Sequence, residues 1–119
     1  MVSIDGFRKL ALSFPYVNEQ DHWGRPSFTV KGKIFSTLRI EQGLAIVKLS
    51  LIDQSVYVSF DSKVFYPVPG GWGRKGATFV ELKKVKKSML KEVLGNAWAK
   101  VAPKVLLKNP AQSVKKNPG

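Results

Sequence analysis

Five lysines fall within a nine-residue stretch of this 119-residue chain, at Lys83, Lys84, Lys86, Lys87 and Lys91. Such a cluster favours one kind of chemistry: ammonium groups neutralise the phosphates of a polyanion, and the counterions this releases favour binding. Val85, Met89, Leu90, Val93 and Leu94 run among and beyond them at helical spacing, so the lysines occupy the entry and first turns of a helix. Free backbone N–H groups and the helix dipole place positive partial charge at that same end, which adds to the pull on a phosphate. Each lysine there costs a few tenths of a kcal/mol, since cations favour the opposite end. The plainer alternative is a hydrated basic face on which salt screens the repulsion.

A second cluster, Trp72-Gly73-Arg74-Lys75-Gly76, sets an aromatic ring and two cations among glycines. Trp72 and Arg74 could stack on bases while the glycines let a backbone approach closely. The commoner outcome for such a tryptophan is to fold back on the core, with the glycines serving the turn, and that reading leads. The spacing is neither a phosphate-binding P-loop nor a dinucleotide fingerprint. Lys31 and Lys33 flank a hairpin glycine and Arg39 lies on the adjoining strand; they either track phosphates as a wing does or guard a sheet edge. Lys108, Lys115 and Lys116 offer non-specific contacts from the C-terminal end.

Catalysis finds little support. His22 is the only histidine and cysteine is absent, so histidine and thiolate metal sites have too few ligands. No Gly-x-Ser-x-Gly elbow accompanies His22, and Glu19 with Asp21 is the only closely spaced acidic pair. We therefore expect no enzyme activity, no metal and no cofactor.

Charge is the compositional outlier. Twenty Lys and Arg stand against eight Asp and Glu, a net charge of +12 and a pI near 10.1. The expected partner is nucleic acid, duplex DNA first, held through its phosphates with little sequence selectivity. The alternative is a protein- or small-ligand-interaction module whose charge is incidental. No apolar run nears the roughly 18 residues that cross a bilayer, no secretory signal opens the chain, and the lack of cysteine suits the cytoplasm. A monomer is expected.

These side chains need a frame, and the pattern supplies an α+β one. Ser3 caps a first helix with Phe7, Leu10, Ala11 and Phe14 on one face, and Pro15 ends it. Tyr16 to Asp21 reads as a connector. Phe28 and Val30 share one strand face; Lys31-Gly32 turns the chain into Lys33–Ile40; Glu41-Gln42-Gly43 turns it again into Leu44–Leu49. A three-stranded antiparallel meander follows from this. Ser50 caps a short helix over 51–60, although Val56-Tyr57-Val58-Ser59-Phe60 has strand-like content. Phe65–Gly76, with two prolines and four glycines, reads as loop. Ala77–Leu82 is one further strand able to join the meander, and a long helix runs from Val85 to about Val105, with Pro103 near its end. The expected organisation is one domain over 1–107 with the N- and C-terminal helices packed on the antiparallel sheet, then a flexible basic tail over 108–119.

The order of these pieces resembles the MmcQ/YjbR family, bacterial domains of CyaY-like α+β fold. The matching residues are Ala11-Leu12-Ser13-Phe14-Pro15, Trp23-Gly24-Arg25-Pro26-Ser27-Phe28-Thr29-Val30, Gly32-Lys33-Ile34-Phe35-Ser36-Thr37-Leu38, Val47-Lys48-Leu49 and Ala97-Trp98, within roughly residues 3 to 106. The chain departs from the pattern at Ala77-Thr78, where the family often has a tryptophan opening the last strand. The resemblance implies a helical 51–60 and an antiparallel sheet with helices on one side. It implies DNA binding only through fold comparison and brings no catalytic residues with it.

Overall fold

The computed structural model describes residues 1–106. In chain order these form α1 (Ile4–Leu12), β1 (Val17–His22), β2 (Arg25–Val30), β3 (Lys33–Arg39), β4 (Leu44–Lys48), α2 (Leu51–Phe60), β5 (Phe65–Pro67), α3 (Gly71–Arg74), β6 (Ala77–Glu81) and α4 (Lys87–Leu106), with a 3₁₀ turn, Ile40–Gln42, between β3 and β4. The strands make one antiparallel sheet in the order β1-β2-β3-β4-β6-β5. The meander and the further strand are present as the sequence predicts, and β6 joins along β4, with Leu44 opposite Glu81 and Lys48 opposite Ala77. Residues 51–60 are helical, opened by Asp53 N–H donating to Ser50 Oγ at 3.1 Å. The tail proposed over 108–119 lies outside the described residues.

Three expectations need correction. The connector over 16–21 is in fact mostly strand: β1 is polar after Val17 and shows none of the alternation that marks a half-buried strand. It forms because Trp23-Gly24, with φ of 56° and 80°, makes a two-residue turn that pairs His22 with Arg25 and Val17 with Val30. The loop over 65–76 contains β5 and α3; β5 is three residues long, ends in proline and lies at the sheet edge, where proline is tolerated. The last helix starts at Lys87 rather than Val85 and continues through position 103 to Leu106.

Strand register decides which residues form the core. Phe28, Val30, Leu38, Ala45, Val47, Val80 and Phe65 share one face of the sheet and are buried under α1, α2 and α4. A bulge opposite Phe28 and Thr29 adds Phe35 to that face. Phe7 of α1 meets Phe28 edge-on at 5.5 Å. Trp98 stacks on Phe14 at 6.0 Å, its Nε1–H donating to Pro15 O at 3.0 Å, which ties α4 to the end of α1. The three longer helices therefore cover one side and leave the other side of the sheet bare.

Candidate functional site

Register places a different set of residues on the bare face: Arg25 of β2, Ile34, Thr37 and Arg39 of β3, Ile46 and Lys48 of β4, and Ala77 and Phe79 of β6. All but Phe79 line a groove of about 410 Å³, within the size range of ligand sites. Its floor is apolar, from Ile34, Ile46, Val68 and Ala77, and Arg25, Arg39, Lys48 and His22 edge it. Two tryptophans complete the lining: Trp23 is 90% exposed and Trp72 is 67% exposed. Trp72 has therefore not folded onto the core, contrary to the leading expectation.

The exposure of Trp72 comes from a built support. Gly73 lies against Val68, where a Cβ would stand 1.8 Å from the carbonyl oxygen, and Gly76 makes the same approach to Leu49 O. Buried Gln54 of α2 locks the loop from below: its Nε2 donates to Gly73 O at 2.9 Å, Ala77 O at 3.1 Å and Thr78 Oγ1 at 3.2 Å. Lys48 Nζ sits 5.8 Å from the centroid of the Trp72 ring, within cation–π reach. Trp23 occupies a left-handed conformation that a side chain adopts at a cost of about 1–2 kcal/mol, so the turn holds an indole outward where glycine or asparagine is the usual occupant.

The groove cations have no acidic partner among the described residues. Among the described residues the one ion pair joins Arg8 to Glu19 at 3.1 Å, on the helix-covered side, and none involves Arg25, Arg39 or Lys48. The Arg39 guanidinium lies 5.2 Å from the Phe79 ring centroid; its Nε is enclosed without a partner, and NH1 reaches only Gln42 Oε1 at 3.5 Å. No group of three His, Cys, Asp or Glu able to hold a metal occurs among the described residues. No helix there is long and apolar enough to cross a membrane.

The structure sorts the predicted cations to two ends of the sheet. Lys83, Lys84 and Lys86 occupy the turn after β6, with Lys87 the first residue of α4 and Lys91 one turn on, all exposed. Only Lys87 and Lys91 are helical. Lys31 and Lys33 at the β2–β3 hairpin, Arg74 at the end of α3 and Lys75 just after it are exposed at the opposite end, about 14 Å away along β4. These residues do not form one patch; the groove lies between the two sets. Arg25, Lys48 and Trp23 were not singled out from the sequence as binding residues. Alternation along Thr37-Arg39 and Ile46-Lys48 could have placed two cations on one face, but the pairing of β4 with β6 that adds Ala77 and Trp72 is not a local feature.

On the same face Tyr66 Oη donates to Glu81 Oε2 and its ring packs on Phe79. Burial, the hydrogen bond to Glu81 and the negative charge of Glu81 together push its hydroxyl up to about 12. The unfolded phenol ionises near 10, so the folded state gains full stability from this group below pH 10 and loses it as pH rises through about 12. Urea unfolding should show stability falling between pH 10 and 12, with a smaller fall for Tyr66→Phe. Some fall remains in that variant because Tyr57, buried and bonded to Glu92, shifts in the same direction.

Comparison with known proteins places this geometry in a family. No curated protein gives a significant match. The crystal structure of Deinococcus radiodurans protein DR2400, which carries the DUF419 domain, is similar in fold: the TM-score is 0.71 at 14% sequence identity, covering 98% of this chain and 86% of that one. The sequence model of the YjbR family matches residues 12–100, from the end of α1 into α4. The chain belongs to the YjbR family.

Proposed function

We propose that this protein is a non-enzymatic nucleic-acid-binding domain that holds phosphates with little dependence on sequence. One observation carries the reading: Arg25, Arg39 and Lys48, paired with no acid among the described residues, line a groove with two exposed tryptophans in a chain of net charge +12. Cations in that number attract phosphates at long range, and exposed aromatic rings suit nucleotides better than they suit other polyanions. The lysines at either end of the sheet extend the positive surface.

Fluorescence anisotropy of a labelled random-sequence duplex, at several salt concentrations between about 50 and 200 mM, tests the reading. Three phosphates neutralised in the groove predict a log–log salt slope of about −2.7, steeper if the end lysines join. Changing Lys86 and Lys87 together to glutamate should weaken binding and flatten the slope by about one for each phosphate no longer neutralised. Absence of binding at the lowest salt would sink the proposal.

A second reading has its own observation. Ile52, Val56 and Phe60 stand four apart along α2 and are 77%, 58% and 66% exposed, an apolar stripe of the sort that docks on a protein. A salt-insensitive protein partner that no longer binds when Ile52 is changed to a charged residue would favour that interaction module.

A further inference from the structure

We infer that the groove on the bare face of the sheet takes unpaired nucleotides, with bases stacking on Trp72 and Trp23 and backbone phosphates on Arg25, Arg39 and Lys48. The inference rests on the nucleic-acid reading above and narrows it to the single-stranded class.

Shape and chemistry both favour an unpaired strand. In a duplex the base faces are already stacked and only phosphates and groove edges are offered, so the apolar floor of Ile34 and Ile46 would meet nothing complementary. A single strand presents base faces and phosphates together, which this groove matches with indoles and cations side by side. Lys48 Nζ lies 5.8 Å from the Trp72 ring centroid, beside the stacking surface, where the phosphate of a stacked nucleotide would fall. Both tryptophans are displayed at a structural cost. Trp23 holds a left-handed backbone at a turn, and the Trp72 loop depends on the two close glycine approaches and the Gln54 clamp. A sheet face that stacks bases on aromatic side chains is an established way of holding single strands without reading their sequence.

The test compares three labelled ligands of equal length with the full chain: an oligothymidylate, a duplex, and an abasic strand that keeps the phosphates and lacks the bases. The oligothymidylate should bind at least tenfold tighter than the abasic strand and tighter than the duplex. It should also quench tryptophan emission, since Trp23 and Trp72 are exposed while Trp98 is stacked on Phe14. Trp72→Ala and Trp23→Ala should each lower single-strand affinity roughly 5- to 100-fold, leaving duplex affinity nearly unchanged. Trp72→Phe, which keeps a ring, should recover part of the loss. Salt-dependent binding that is equal for all three ligands, or unmoved by either tryptophan change, overturns the inference and leaves the phosphate reading standing. No binding of any ligand at low salt removes both.

Discussion

Replacing Gly76 with alanine is expected to destabilise the protein by more than about 3 kcal/mol, a large share of the 5–15 kcal/mol typical of a domain. Two costs add. Its φ of 108° lies outside what a residue with a Cβ adopts easily. The new Cβ would also stand 1.8 Å from Leu49 O and 3.0 Å from Leu49 C, backbone atoms that cannot swing away. The same residues are joined by Leu49 N–H donating to Gly76 O at 3.1 Å, so relieving the clash breaks the link between the end of β4 and the Trp72 loop. Gly24→Ala separates the two costs. Gly24 has a φ of 80° and nothing within 4 Å of the added carbon, so it carries only the backbone term, about 1–2 kcal/mol. Urea unfolding of both variants gives the comparison, and near-ultraviolet circular dichroism reports whether Trp72 keeps its fixed surroundings. Equal losses at the two positions would show that the close approach to Leu49 matters little.

Neutralising the groove is the second change of large effect. A triple variant, Arg25→Gln, Arg39→Gln and Lys48→Gln, should lose on the order of 1,000-fold in nucleic-acid affinity at moderate salt, taking about tenfold as the least each charged side chain contributes. Its log–log salt slope should flatten by about 2.7 on a duplex and about 2.1 on a single strand. Neutralising Lys31, Lys33 and Lys75, three equally positive side chains on exposed turns, should cost much less, because fully hydrated ions at the tips gain little on meeting a phosphate. Net charge falls equally in the two variants, so the comparison distinguishes a located site from a diffuse field. Arg39→Gln also uncovers Phe79, and a thermal melt of each variant establishes that the fold persists. Equal affinity loss in the two triple variants would place binding in the overall charge and not in the groove.

The local signals hold in the folded chain. Ser3 and Ser50 cap their helices through side-chain oxygens, Gly6 N–H donating to Ser3 Oγ at 2.9 Å and Asp53 N–H to Ser50 Oγ at 3.1 Å. The two-residue Lys31-Gly32 turn joins β2 to β3, and Gly43 takes a left-handed conformation before β4. Each of these depends on residues within four positions of one another, which is the range over which side-chain type and spacing act directly on the backbone. The edge strands fall outside that range. Val17–His22 has no apolar alternation because one face is solvent and the other reaches only Arg8 and the margin of the core; it is held by hydrogen bonds to β2.

By itself the sequence determined an α+β domain, the helix and turn boundaries set by caps and glycines, and an excess of positive charge. The sequence offered Trp72 and Arg39 as candidates, but only the tertiary structure joined them to Arg25, Lys48 and Trp23 in one groove. Arg25, Arg39, Lys48, Trp23 and Trp72 lie up to 49 positions apart in the chain. They meet because β6 returns alongside β4 and because α1, α2 and α4 all pack on one side of the sheet. A groove on the opposite face depends on strand register, and register is settled by the burial of Phe28, Leu38, Ala45 and Val80 on the core side, where slipping one residue would bury Arg39 and Lys48 in their place.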